Sequence, residues 1–114
     1  MEKLEKFVVD ASTPENLKKT LSELNEFLLR WDFKVEWIKV SQLGFLFFVV
    51  IQYDTSIMTS VHKQLHVAKT LEEAEKFKPE AYMSFTKVVE PYFHRNTPNG
   101  EVLEFYFVWA MINR

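Results

Sequence analysis

The chain has 114 residues, of which 47% are hydrophobic and 26% charged with a formal net charge of -2; this balance excludes a disordered chain and predicts one folded domain over residues 1–114. Its 14 Lys and Arg are interspersed with 16 Asp and Glu, so a basic surface for duplex nucleic acid is not expected. The absence of cysteine removes disulfides, thiolate nucleophiles and cysteine-held metal.

The N-terminal Met-Glu-Lys-Leu-Glu-Lys is too charged for a signal peptide, and no apolar run approaches the roughly 20 residues that cross a bilayer. The expectation is a cytoplasmic protein with no membrane partner. Rings are the compositional outlier: 11 Phe, 4 Tyr and 3 Trp stand beside only 2 Gly, more bulk than a small interior holds with ease, so part of the ring set is expected at an interface.

Phe7-Val8-Val9 forms a short apolar segment that runs into Ser12-Thr13-Pro14-Glu15, a helix start in which Ser12 or Thr13 caps and Pro14 presets the first turn. Leu17, Leu21, Leu24, Leu28 and Trp31 then recur at spacings of four and three, which predicts an amphipathic helix. Beyond Asp32, Phe33, Val35 and Trp37 alternate with Lys34 and Glu36. The apolar phase switches at Ile38 and Val40, the mark of a bulged strand. Gln42-Leu43-Gly44 reads as a tight connection into Phe45 to Tyr53, a run so apolar that cover on both faces is expected.

Ser60, His62, Gln64 and His66 alternate with Val61, Lys63, Leu65 and Val67, as in a strand with a polar outer face. Thr70-Leu71-Glu72-Glu73 has the form of a capping box ahead of a short helix carrying Leu71, Ala74 and Phe77. Residues 80–92 suit a helix from Pro79 carrying Tyr82, Phe85, Val88, Val89 and Tyr92 slightly better than an extended strand. Asn96-Thr97-Pro98-Asn99-Gly100 is a turn leading into Val102 to Ile112, a second run apolar on both faces. The fold class these elements predict is α+β: a four- or five-stranded, mainly antiparallel sheet with a β-α-β-β start and helices packed on one face.

Chemistry-bearing residues are sparse. His62 and His66 at a spacing of four are the best metal pair, with His94 the third histidine. No acidic partner lies within the pair, and exposed surface histidines are the simpler reading; no cofactor is expected. His62, His66, His94 and Arg95 together form a candidate ligand set, since an Arg fork and titratable imidazoles suit a phosphorylated or nucleotide-like molecule, extended by Lys63 and Lys69. Glu36, Glu90 and Glu104 are carboxylates in apolar surroundings. With no nucleophile elbow and no Gly-rich phosphate loop, a non-catalytic interaction module is favoured over a ligand-sequestering protein, and that over a metal-dependent hydrolase. The ring surplus points to a homo-oligomer, with Trp37, Phe105, Phe107 and Trp109 as its interface.

Leu24-Asn25-Glu26-Phe27-Leu28, Asp32-Phe33-Lys34-Val35, Ile38-Lys39-Val40-Ser41 and Phe48-Val49-Val50-Ile51-Gln52-Tyr53 together resemble a family of very short sporulation-associated proteins of spore-forming bacteria and their phages. The resemblance covers residues 4–53. It implies a bacterial or phage origin and carries no activity or functional residues.

Overall fold

A computed structural model describes residues 2–30, 33–59, 61–79, 84–94, 100 and 102–113. Trp31, Asp32, Ser60, Tyr82, Arg95 and the turn residues 96–99 lie outside the described residues. In chain order the elements are β1 (Glu2–Asp10), α1 (Pro14–Arg30), β2 (Lys34–Leu43), β3 (Leu46–Asp54), β4 (Val61–Ala68), α2 (Leu71–Lys76), β5 (Phe85–His94) and β6 (Leu103–Asn113). The fold is α+β. The expected single sheet of four or five strands is corrected to two three-stranded antiparallel sheets, ordered β1-β3-β2 and β4-β6-β5. Two compact units result, Met1–His62 and Lys63–Arg114.

In the first unit, β1 ends at Asp10, whose carboxylate accepts from the backbone N–H of Ser12 at 2.9 Å and from Asn16 Nδ2 at 3.2 Å. The hydrogen bonds from Ser12 and Asn16 hold the Asp10 carboxyl below its ordinary value. Of the two capping candidates the structure selects Thr13, whose Oγ1 accepts from Asn16 N at 3.1 Å while Leu17 N bonds to Thr13 O. Thr20 then ties helix to strand, accepting from Asp10 N at 3.0 Å. Asp54, at the end of β3, repeats the device by accepting from Ser56 N and Oγ at 2.9 and 2.6 Å.

The predicted bulge is present: the β2 to β3 register shifts between Val35 and Trp37 and leaves Glu36 as the extra residue. Gly44, at φ 60°, opens the two-residue turn before β3, and Leu43 pairs with Leu46 across it. Leu24 and Leu28 of α1 are buried with Val9 and with Phe47, Val49, Ile51 and Tyr53 of β3. Phe27 holds one end of this core, its ring 5.2 Å from both Phe7 and Phe33 and 5.4 Å from Tyr53. Each such ring pair adds about 0.5–1.5 kcal/mol beyond area burial.

The expectation that Phe45 to Tyr53 is covered on both faces is corrected. Only the odd-numbered positions of β3 are buried; Leu46 and Val50 are half-buried and Phe48 is exposed, because the unit has one helix to lay against the sheet.

In the second unit, Thr70 Oγ1 accepts from Glu73 N at 3.1 Å, and Glu73 Oε2 reaches back to Lys69 N at 3.2 Å, one residue before the reciprocal bond of an ordinary capping box. The other end of α2 is held by Lys87 of β5, whose Nζ donates to the carbonyl oxygens of Ala74, Glu75 and Phe77. A cation there satisfies the unpaired carbonyls and opposes the negative end of the helix dipole. Ala68, Ala74, Tyr106 and Val108 form the core beneath α2, with Phe77 and Val89 against them.

From Phe85 to His94 the chain is a strand, which corrects the helix favoured there. Thr86, Val88 and Val89 are β-branched, and Pro91 is tolerated because β5 lies at the sheet edge. β6, the middle strand, is buried without a break from Phe105 to Ala110, as its two-sided apolar pattern predicts.

Adjacent rings of β3 test this layering. Phe47→Ala, at a position with no exposed surface, is expected to cost about 3–5 kcal/mol in urea denaturation. Phe48→Ala, one residue on and 37% exposed, is expected to cost less than half as much.

Candidate interaction surface

The side of the first sheet turned away from α1 is assembled row by row by the strand register. Glu2, Asp54 and Lys34 form the row at one end; Leu4, Gln52 and Trp37 the next; Lys6, Val50 and Lys39 the third; Val8, Phe48 and Ser41 the fourth; Asp10, Leu46 and Leu43 the last. Leu4 is 56% exposed, Val8 44%, Leu43 70% and Phe48 37%. Four large apolar side chains thus meet solvent on one contiguous face, a pattern associated with docking surfaces. Two cations interrupt it, Lys6 on β1 and Lys39 on β2, one on each side of the central strand. The Lys39 ammonium lies 5.0 Å from the centroid of the Trp37 ring, which is half-buried on the same face.

Of the expected interface residues, Trp37 belongs to this surface and the others do not. Phe105, Phe107 and Trp109 are buried within the chain, and their assignment as interface residues is corrected to core. They lie on the face of the second sheet opposite Tyr106 and Val108, where Phe107 contacts the Tyr92 ring at 4.7 Å and the Trp109 ring at 6.4 Å.

The three histidines of the ligand set do not share a strand. His62 and His66 lie on β4 and His94 on β5, the two outer strands of a sheet whose middle is β6, so at least about 9 Å of sheet separates them. Arg95 lies outside the described residues. His62 and His66 are also not the exposed surface pair expected: His62 is buried, and His66 stacks on Phe77 with ring centroids 4.2 Å apart. Desolvation lowers the His66 pKa, opposed by nearby Glu73. Lys63 is half-buried and its amine is likewise pushed down by desolvation.

Among the described residues no group of three or more His, Asp or Glu could hold a metal ion. The carboxylates are equally dispersed. Glu36 sits exposed at the bulge, 4.0 Å from Lys34. Glu90 accepts from Tyr92 Oη at 3.1 Å, and Glu104 accepts from Tyr106 Oη at 2.6 Å. Burial first and Glu90 second raise the Tyr92 pKa. Because Glu90 pairs with Phe107 and Glu104 precedes Phe105, these two carboxylates point to opposite faces of the sheet and form no acid-base pair.

Two open depressions run along the solvent side of α1; one, lined by Lys18, Lys19, Glu23 and Glu26, is of mixed charge, and the other, lined by Ser22, Asn25, Glu26 and Leu29, carries a single carboxylate. Among the described residues no helix is long and apolar enough to cross a membrane. In comparisons with known proteins, no family model, curated protein or solved structure matched the chain.

The apolar rows were missed in the sequence because β1 alternates Leu4, Lys6 and Val8 with Glu5, Phe7 and Val9. Either set can face a core, and only the helix decides between them.

His66 yields a pH dependence with a fixed sign. The folded state disfavours the imidazolium, so stability is complete above the unfolded value of 6.5 and falls as pH drops below it. Denaturation midpoints measured from about pH 7.5 down to about 5.5 are expected to decline less for His66→Phe than for the wild type.

Proposed function

We propose that the protein is a non-catalytic interaction module whose working surface is the helix-free face of its first sheet, a reading in keeping with a cysteine-free chain in a reducing cytoplasm. The observation that carries it is the simultaneous exposure of Leu4, Val8, Leu43 and Phe48 on one face of three paired strands. Leaving such area in water forfeits about 25 cal/mol for every Å² that a core would have buried. A docked chain recovers it.

The dispersal of His62, His66 and His94 weighs against a ligand-sequestering protein. A panel of nucleotides is expected to leave the melting temperature unchanged. A ligand present at 100 times its dissociation constant would add roughly 2.7 kcal/mol, and a shift of that size would restore the ligand reading.

The docking surface is tested with Leu43→Ser combined with Phe48→Ser. Leu43 is 70% and Phe48 37% exposed, so the fold is expected to survive both changes, as a retained cooperative melt would show. Binding of an environment-sensitive apolar dye should fall several-fold. Unchanged dye binding with the fold intact removes this face as an apolar surface.

A further inference from the structure

We infer that the partner taken by this face is a single amphipathic helix of another protein chain, with an apolar ridge laid along β3 and carboxylates on both flanks reaching Lys6 and Lys39. The inference rests on the docking reading above and adds the shape and charge of the occupant.

The shape follows from the sheet. Three strands span about 10 Å from edge to edge, close to the 10–12 Å diameter of a helix with its side chains. The opposite face of the same sheet is covered by one helix, α1, through Leu24, Phe27 and Leu28. The second face has the same width, and its central line is apolar: Leu46, Phe48 and Val50 of β3.

The charge follows from the register. Lys6 and Lys39 pair with the same residue, Val50, from opposite sides, so a helix lying on β3 has one ammonium along each flank. Their aliphatic stems extend the apolar floor while the ammonium groups stay in water. The carboxylates of this face stand at its ends, and two of them are already engaged: Asp10 by Ser12 and Asn16, Asp54 by Ser56.

A second copy of the chain is the poorer occupant for the same reason. A two-fold axis across the strands at Val50 sets the lysine row against the other copy's lysines, one between Val50 and Phe48 sets it against Val8 and Phe48, and one at Phe48 sets it against Leu46 and Leu43 beside an Asp10 whose carboxylate is already held by Ser12 and Asn16. An axis that brings Glu2 and Asp54 opposite the lysines leaves Phe48 and Leu43 uncovered. Single-stranded nucleic acid is also disfavoured: it needs a platform of rings, and here Phe48 and Trp37 are outnumbered by Leu4, Val8, Leu43, Leu46 and Val50.

The test uses the full chain and two labelled designed helices that share one leucine stripe, one flanked by Glu and its twin by Lys, with binding read by fluorescence anisotropy. The Glu-flanked helix is expected to bind roughly tenfold more tightly than its twin, with an advantage that shrinks in salt. Lys6→Glu with Lys39→Glu should invert the preference. Lys18→Glu with Lys19→Glu, an equal charge change on the solvent side of α1, should leave it unchanged.

Equal binding of both helices, lost in the Leu43→Ser, Phe48→Ser variant, overturns the acidic partner and leaves the docking reading standing. Binding of neither helix while the dye still binds overturns the helical partner. Loss of the dye result as well removes the docking reading itself. An oligothymidylate that binds in a Lys6- and Lys39-dependent manner, or a dimer in sedimentation that Leu43→Ser and Phe48→Ser dissolve, overturns the inference in favour of nucleic acid or of a second copy.

Discussion

One helix covers one face of a three-stranded sheet, and the first unit has one helix. The character of the protein's surface follows from that mismatch between apolar residues supplied and cover available. β3 directs Phe47, Val49, Ile51 and Tyr53 into a core closed by Leu24 and Leu28, and the residues between them, Leu46, Phe48 and Val50, are apolar as well. In a monomer with no further role, polar side chains at those positions would be stable and soluble. Their apolar identity, matched by Leu4 and Val8 on β1 and by Trp37 and Leu43 on β2, is what the proposed docking surface accounts for.

Local chemistry was legible in the sequence wherever a side chain acts on its own backbone or neighbours. The start of α1, its leucine stripe, the bulge before Trp37 and the Thr70 cap are all set by residues within a few positions of one another. What depends on distant partners was not. Phe105, Phe107 and Trp109 look like interface residues as a ring-rich run, yet β6 is the middle strand of its sheet and is buried on both faces. Residues 85–94 carry apolar positions compatible with helix spacing, and pairing with β6 outweighs that preference. The candidate site is half visible in the sequence: Trp37 stands out there, while Lys6, Lys39, Leu43 and Phe48 join it only through a register that no local pattern specifies.

The two units repeat one plan. Each runs strand, helix, strand, strand, and in each the last strand of the run lies between the other two. They differ in their helices. α1 has 17 residues, whereas α2 has 6 and is held at one end by Thr70 and at the other by the Lys87 ammonium. A helix of two turns is too short to persist on its own propensity, so the caps and the small core of Ala68, Ala74, Tyr106 and Val108 decide whether it forms.

Pro91 has a consequence for coexistence with other chains. Sitting within an outer strand, it withholds one amide hydrogen from the row of groups that β5 presents at its rim. A foreign extended segment sliding alongside meets a gap in the ladder and cannot zip along the full length of β5. The second sheet is thereby guarded against fibrillar growth at that margin.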